Sequence, residues 1–181
     1  LYNNKYFYRP RNIYKMKIID NFLPEEDFKR LQKLVIHDVP WFFQNKINDG
    51  HSIKDNTSYF THILYNYEHW PHIYSEYFHN FKVLSDKLEI ISLMRMKLNL
   101  YTRTEKTEMH VPHTDYRIPH KGCILSFNTC DGGTILFDDN EKEIKVDSVE
   151  NRALLFDPSK VHSSLSCTDA KARWNVNINY F

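Results

Sequence analysis

Met94-Arg95-Met96-Lys97-Leu98-Asn99-Leu100-Tyr101 alternates strictly between apolar and polar side chains, the period of two that marks a β-strand with unlike faces. Arg173-Trp174-Asn175-Val176-Asn177-Ile178-Asn179-Tyr180 repeats the pattern at the end of the chain. Taken alone, each is an ordinary amphipathic strand with its polar side in water. Between them, residues 123–128, 134–137, 144–146 and 153–156 read as further short strands, divided by Asp, Asn, Gly and Pro. Many short strands after helices predict a mainly β, α+β fold, an antiparallel jelly roll with N-terminal helices packed on one sheet.

The helices lie upstream. After a short strand at 16–20, Pro24 opens a helix with Glu25, Glu26 and Asp27 in its first turn and Phe28, Leu31, Leu34 and Val35 on one face. A second helix is predicted over 71–88, with Ile73, Tyr77, Phe81, Leu84 and Leu88 aligned. If these helices cover the apolar faces of the two alternating strands, the polar faces turn into the roll, and Tyr101 and Arg173 look into its cavity. Residues 1–90 then serve as helical support and 91–181 as the jelly-roll core of a single domain. No repeat, low-complexity tract or linker interrupts that reading.

Composition narrows the function. With 181 residues, 41% of them hydrophobic and 15% aromatic, the chain can bury a sizeable core, which excludes intrinsic disorder. Basic and acidic residues nearly balance, 24 against 23, so nucleic acid is not an expected partner. Cys123, Cys130 and Cys167 are odd in number and form no CxxC pair, which argues against a disulfide scaffold or thiolate zinc and for a reducing, cytoplasmic setting. No apolar stretch approaches the roughly 20 residues of a membrane span.

The ten histidines invite a search for metal chemistry. His113-Thr114-Asp115 puts an imidazole and a carboxylate on the same side of an extended segment. With ten His and thirteen Asp, roughly 0.7 such spacings arise by chance, so the pair is not evidence by itself. About fifty residues later, an apolar strand and a turn at Pro158 lead to His162. If antiparallel pairing brings His162 beside the first pair, two histidines and one carboxylate hold one face of a metal, the arrangement of a non-haem Fe(II) oxygenase. An inward Arg173 suits bidentate grip of a carboxylate. His110 and His120 flank the pair on segments containing Pro112 and Pro119, and are expected on loops at the cavity mouth. Residues 45–57 around Gly50, with Arg103, Lys106 and Arg117, read as solvated loop, with a candidate lid as the alternative. Gly132-Gly133 marks a turn or a close backbone approach before Thr134.

Residues 94–181, nearly half the chain, resemble the 2-oxoglutarate- and Fe(II)-dependent dioxygenases, most closely the prolyl-4-hydroxylase-like branch with its small phage-encoded members. The resemblance rests on an ordered set: Tyr101, His113-Thr114-Asp115, Asn128 before Gly132-Gly133, His162 and Arg173, with the strand-to-helix entry Lys17-Ile18-Ile19-Asp20-Asn21-Phe22-Leu23-Pro24 ahead of it. It implies a double-stranded β-helix with His113, Asp115 and His162 as iron ligands. It also implies Arg173 on the distal carboxylate of 2-oxoglutarate and Tyr101 against the cosubstrate. Ser126 stands where some members carry a cosubstrate-contacting tyrosine. Arg173 stands where collagen-type prolyl hydroxylases carry lysine, and Asp115 sets the chain apart from halogenating relatives. The implied cofactors are Fe(II), 2-oxoglutarate and molecular oxygen. The implied activity is hydroxylation of an unactivated C–H bond in a protein, peptide or small molecule, with a prolyl residue the leading substrate. Oxidative demethylation of nucleic acid and a non-catalytic metal-binding jelly roll are the alternatives.

Overall fold

The computed structural model describes residues 16–45 and 58–181. Along the chain run strands β1 (Lys17–Ile19), β2 (Phe42–Gln44), β3 (Tyr59–Asn66), β4 (Leu93–Thr102), β5 (Lys121–Ser126), β6 (Cys130–Phe137), β7 (Glu143–Ser148), β8 (Ala153–Phe156), β9 (His162–Leu165) and β10 (Ala172–Tyr180). Helix α1 (Glu25–Lys33) continues into a π turn at Leu34–Asp38, and a 3₁₀ turn at Glu76–Phe81 leads into α2 (Lys82–Lys87). The strands form two antiparallel sheets, one ordered β1-β8-β5-β10-β4-β3-β2 and the other β7-β6-β9. This is a jelly roll.

The β4–β10 pair organises it. Their register sets Arg173 opposite Tyr101, Asn175 opposite Asn99, Asn177 opposite Lys97 and Asn179 opposite Arg95. On the other side, Met96, Leu98, Val176 and Ile178 are sealed from water by Phe28, Leu31 and Val35 from α1 and its π turn and by Phe81 and Leu84. Each such side chain contributes about 1.5–3 kcal/mol by leaving water. With that face covered by helices, the polar face turns inward, as predicted: Asn99, Arg173, Asn175, Asn177 and Asn179 are all buried. A smaller apolar cluster of Ile124, Leu136, Val146, Leu154 and Phe156 lies within the roll.

Three elements, α2, β2 and β3, differ from the sequence reading. The helix expected over 71–88 starts only after Ser75, whose side chain accepts from Tyr77 N. Residues just before it spend their backbone groups on β3 instead, with Asn66 N donating to His72 O and Tyr74 N to Leu64 O. β3 itself was not anticipated. Its buried positions do not alternate, because the pairing with β4 shifts register between Ile63 and Tyr65. The N-terminal half therefore adds β1, β2 and β3 to the large sheet besides its helices.

The glycine pair serves a close approach. A Cβ on Gly132 would meet Ser166 O at 2.7 Å and Arg173 Cδ at 3.1 Å, and one on Gly133 would overlap Val146 O. Cys123, Cys130 and Cys167 are free and buried, and burial pushes the Cys123 thiol up to about 12. Among the described residues, no helix is long and apolar enough to cross a membrane.

Candidate metal centre

His113 and His162 meet through their own backbones. His113 N donates to His162 O at 2.8 Å and His162 N to His113 O at 2.9 Å, the doubly bonded pair of an antiparallel ladder. The rings consequently lie 4.7 Å apart, centroid to centroid. Two residues on, Asp115 N donates to Pro158 O, which brings its carboxylate to the same side. One ligand atom from each of His113, Asp115 and His162 falls within 4.8 Å of the others.

The hydrogen-bond partners select the ligand atoms. His113 Nδ1 faces Val111 O at 3.2 Å and His162 Nδ1 faces Lys160 O at 3.0 Å. A carbonyl only accepts, so both Nδ1 atoms carry a proton, which makes Nε2 the atom of each ring available to a metal. Burial, with His162 beside it, lowers the His113 pKa and favours the neutral ring. Burial alone would raise the Asp115 pKa, but Arg95, His162 and Lys97 hold that carboxyl well below the usual range. Arg95 lies 2.8 Å from Asp115, and Asn177 Nδ2 donates to its other oxygen at 3.1 Å.

The same pocket holds Arg173. Its NH1 donates to Gly133 O at 2.6 Å, the carbonyl that the glycine pair brings near, and its guanidinium sits 4.7 Å over the Tyr101 ring. Tyr101 in turn stacks with Tyr59 and with His110. Arg173 Nε is buried without a hydrogen-bond partner among the described residues, as is Asn99 Oδ1. An unpaired guanidinium N–H beside a cavity fits a ligand carboxylate. Two imidazoles and one ionised carboxylate, with no fourth His, Cys, Asp or Glu in the group among the described residues, fit a divalent first-row metal with open positions.

Ser126 is buried in an adjoining cleft that it shares with Arg173, Gly133 and Thr134, apart from the His/Asp/His group. The expectation for His110 and His120 is corrected. Both are buried, His110 with Nδ1 2.6 Å from Ser164 Oγ and His120 with Nε2 2.8 Å from Asn179 Oδ1, so they brace the interior and not the mouth. Arg103, Lys106 and Arg117 are exposed, and residues 46–57 of the candidate lid lie outside the described residues. Sequence reasoning gave no role to Tyr59, Lys97, Asn99, Asn175 or Asn177, which line the pocket with the predicted residues. The signal was there in the polar phase of β4 and β10, but it needed the helices' position to separate an inward face from a solvated one. Lys97 is the sharpest case: burial and nearby Arg95 bring its pKa down to about 7, against the pull of Asp115.

No sequence-family profile matches the chain, and no curated protein does. Solved structures do. A prolyl hydroxylase from Trichoplax adhaerens, in complex with a hypoxia inducible factor oxygen degradation domain peptide fragment, aligns over 92% of this chain and 83% of its own, with TM-score 0.66 and 17% identity. A 2OG-Fe(II) oxygenase family oxidoreductase from Burkholderia pseudomallei aligns over 91% and 84%, with TM-score 0.69 and 8% identity. The epimerase SnoN, in complex with Fe3+, alpha ketoglutarate and nogalamycin RO, aligns over 92% and 78%, with TM-score 0.60 and 10% identity. The chain has the jelly-roll fold of these 2-oxoglutarate/Fe(II) oxygenase structures.

Proposed function

We propose that this chain is an Fe(II)- and 2-oxoglutarate-dependent oxygenase that hydroxylates an unactivated C–H bond. His113, Asp115 and His162 are the iron ligands, and Arg173 anchors the far carboxylate of the cosubstrate. One observation carries the reading: a single pocket holds the His/Asp/His group and a buried guanidinium with an unused donor.

When bound, iron, 2-oxoglutarate and molecular oxygen supply the oxidising chemistry. The chain supplies position. The two Nε2 atoms and the Asp115 carboxylate would hold the metal. Arg95 and Asn177 keep Asp115 ionised and aimed. Arg173 is itself fixed by Gly133 O and the Tyr101 ring, so it meets a carboxylate already oriented. Ser126 supports that end from the adjoining cleft. Ile124, 9% exposed, adds an apolar wall that helps to exclude water. For the substrate we favour a prolyl residue of a peptide, a choice supported by the peptide bound to the Trichoplax enzyme.

The test is conversion of 2-oxoglutarate to succinate under air without added substrate. Wild type with Fe(II) is expected to form succinate slowly. His162→Ala is expected to form none, and Arg173→Ala to need at least about tenfold more 2-oxoglutarate. Wild type that forms no succinate under any condition would point instead to a metal-binding jelly roll without turnover.

A further inference from the structure

We propose that His120 is a positioning residue for the metal centre, acting through Asn179 and Asn177 to fix the Asp115 carboxylate. The proposal rests on His113, Asp115 and His162 being the metal ligands and deepens that reading. Its basis is a buried chain of hydrogen bonds with a single sense.

The chain has three links. His120 Nε2 lies 2.8 Å from Asn179 Oδ1, Asn179 Nδ2 lies 3.3 Å from Asn177 Oδ1, and Asn177 Nδ2 lies 3.1 Å from Asp115 Oδ2. His120, Asn177 and Asn179 are all buried. Backbone pairing builds the row. Asn177 and Asn179 share the inward side of β10 because they are two residues apart. The β5–β10 ladder sets Gly122 opposite Asn179, which brings His120, the residue just before β5, alongside.

The direction of the bonds follows from the ends. An ionised carboxylate only accepts, so Asn177 gives Asp115 its N–H and turns its own Oδ1 toward Asn179. Asn179 donates to that oxygen and presents its Oδ1 to His120, whose Nε2 therefore donates. On the other side of the ring, His120 Nδ1 faces a second acceptor, Ile118 O, at 2.8 Å. With acceptors at both ends, His120 donates from both ring nitrogens, and the charge this brings is answered through two amides by Asp115.

This arrangement assigns the two carboxylate oxygens. Asn177 occupies Oδ2, whereas Oδ1 is the oxygen 3.8 Å from His113 Nε2 and 2.8 Å from Arg95. A carboxylate oxygen offers two lone pairs, so Oδ1 can accept from Arg95 and still serve as the ligand. A second route closes on the same histidine. Arg95 packs over the Tyr116 ring at 5.3 Å, and that ring meets the His120 ring edge-on at 5.5 Å between centroids. Both holds on Asp115 thus lead back to His120.

The experiment titrates the whole metal-free chain anaerobically with Co(II), whose visible bands report affinity and ligand geometry together. His120→Phe keeps a ring and removes its donors; it is expected to weaken Co(II) binding at least about fivefold and to shift the bands. His120→Gln, whose amide can still donate to Asn179, should stay within about twofold of wild type. In an Asn177→Ala background, His120→Phe should cause no further loss, because the link to Asp115 is already cut. If His120→Phe does not fold, Asn179→Leu breaks the same chain and carries the same expectations. In wild type at about pH 7, 15N spectra of the histidine rings should show hydrogen on both nitrogens of His120. Unchanged Co(II) binding in His120→Phe, equal losses in His120→Phe and His120→Gln, equal losses with and without Asn177, or a neutral His120 ring would each overturn the proposal and leave the ligand set standing. Wild type that binds no Co(II), or Co(II) binding unaltered in His162→Ala, would overturn both.

Discussion

The two faces of the β4–β10 pair have the same backbone and opposite tasks. On one, Met96, Leu98, Val176 and Ile178 are wholly buried against the helices; on the other, Lys97, Asn99, Arg173, Asn175 and Asn177 line the pocket. Because successive side chains point to opposite sides, changes on one face need not disturb the other. The apolar face supplies the stability that lets the inner face keep buried polar groups, including the unpartnered Arg173 Nε and Asn99 Oδ1. Buried polar groups without partners cost free energy, and a ligand that paired with Arg173 Nε would offset that cost.

Variants can break that division. The largest effect is expected from His113→Ala, which removes a proposed ligand and should lower Fe(II) affinity at least about 100-fold. Its urea midpoint should stay near wild type, since no core contact is lost; a collapse in stability would show that the faces are not separable. Leu31→Ala is the reverse case. It should cost about 2–5 kcal/mol in urea unfolding and leave metal affinity within a few-fold in the protein that remains folded. Asn177→Ala, which frees one oxygen of Asp115, is expected to weaken metal binding about tenfold.

The smallest effect is in acid. The folded pKa of Asp115 is depressed below the roughly 3.9 of an unfolded aspartate, so its contribution to stability is present above about pH 4 and lost as pH falls further toward the folded value. Metal-free Asp115→Asn should therefore lose less stability than wild type between about pH 4 and pH 2. Parallel acid-unfolding curves would contradict the Arg95–Asp115 pairing.

Local periodicity made part of this legible. β4 and β10 were readable because strict alternation survives without knowledge of neighbours, and His113-x-Asp115 because spacing by two fixes a shared side. His162 became a candidate only by assuming an antiparallel return, which the paired His113 and His162 backbones provide. β3 was hidden by its register shift, and the helix at 71–88 was shortened because residues 72–74 bond to that hidden strand. His110 and His120 were misplaced for a different reason. Their burial depends on where a proline-containing segment runs, and nothing local to it announces stacking on Tyr101 or a bond to Asn179. Lys97 was visible as a polar phase, but whether that phase meets water or a metal site depends on the helices behind it.

Anaerobic titration of the whole chain with Fe(II) and 2-oxoglutarate, followed by visible absorption, tests the central claim most directly. The account predicts a charge-transfer band that saturates at one Fe(II) per chain and is absent from His113→Ala. No band in wild type, or an unchanged band in His113→Ala, would contradict it.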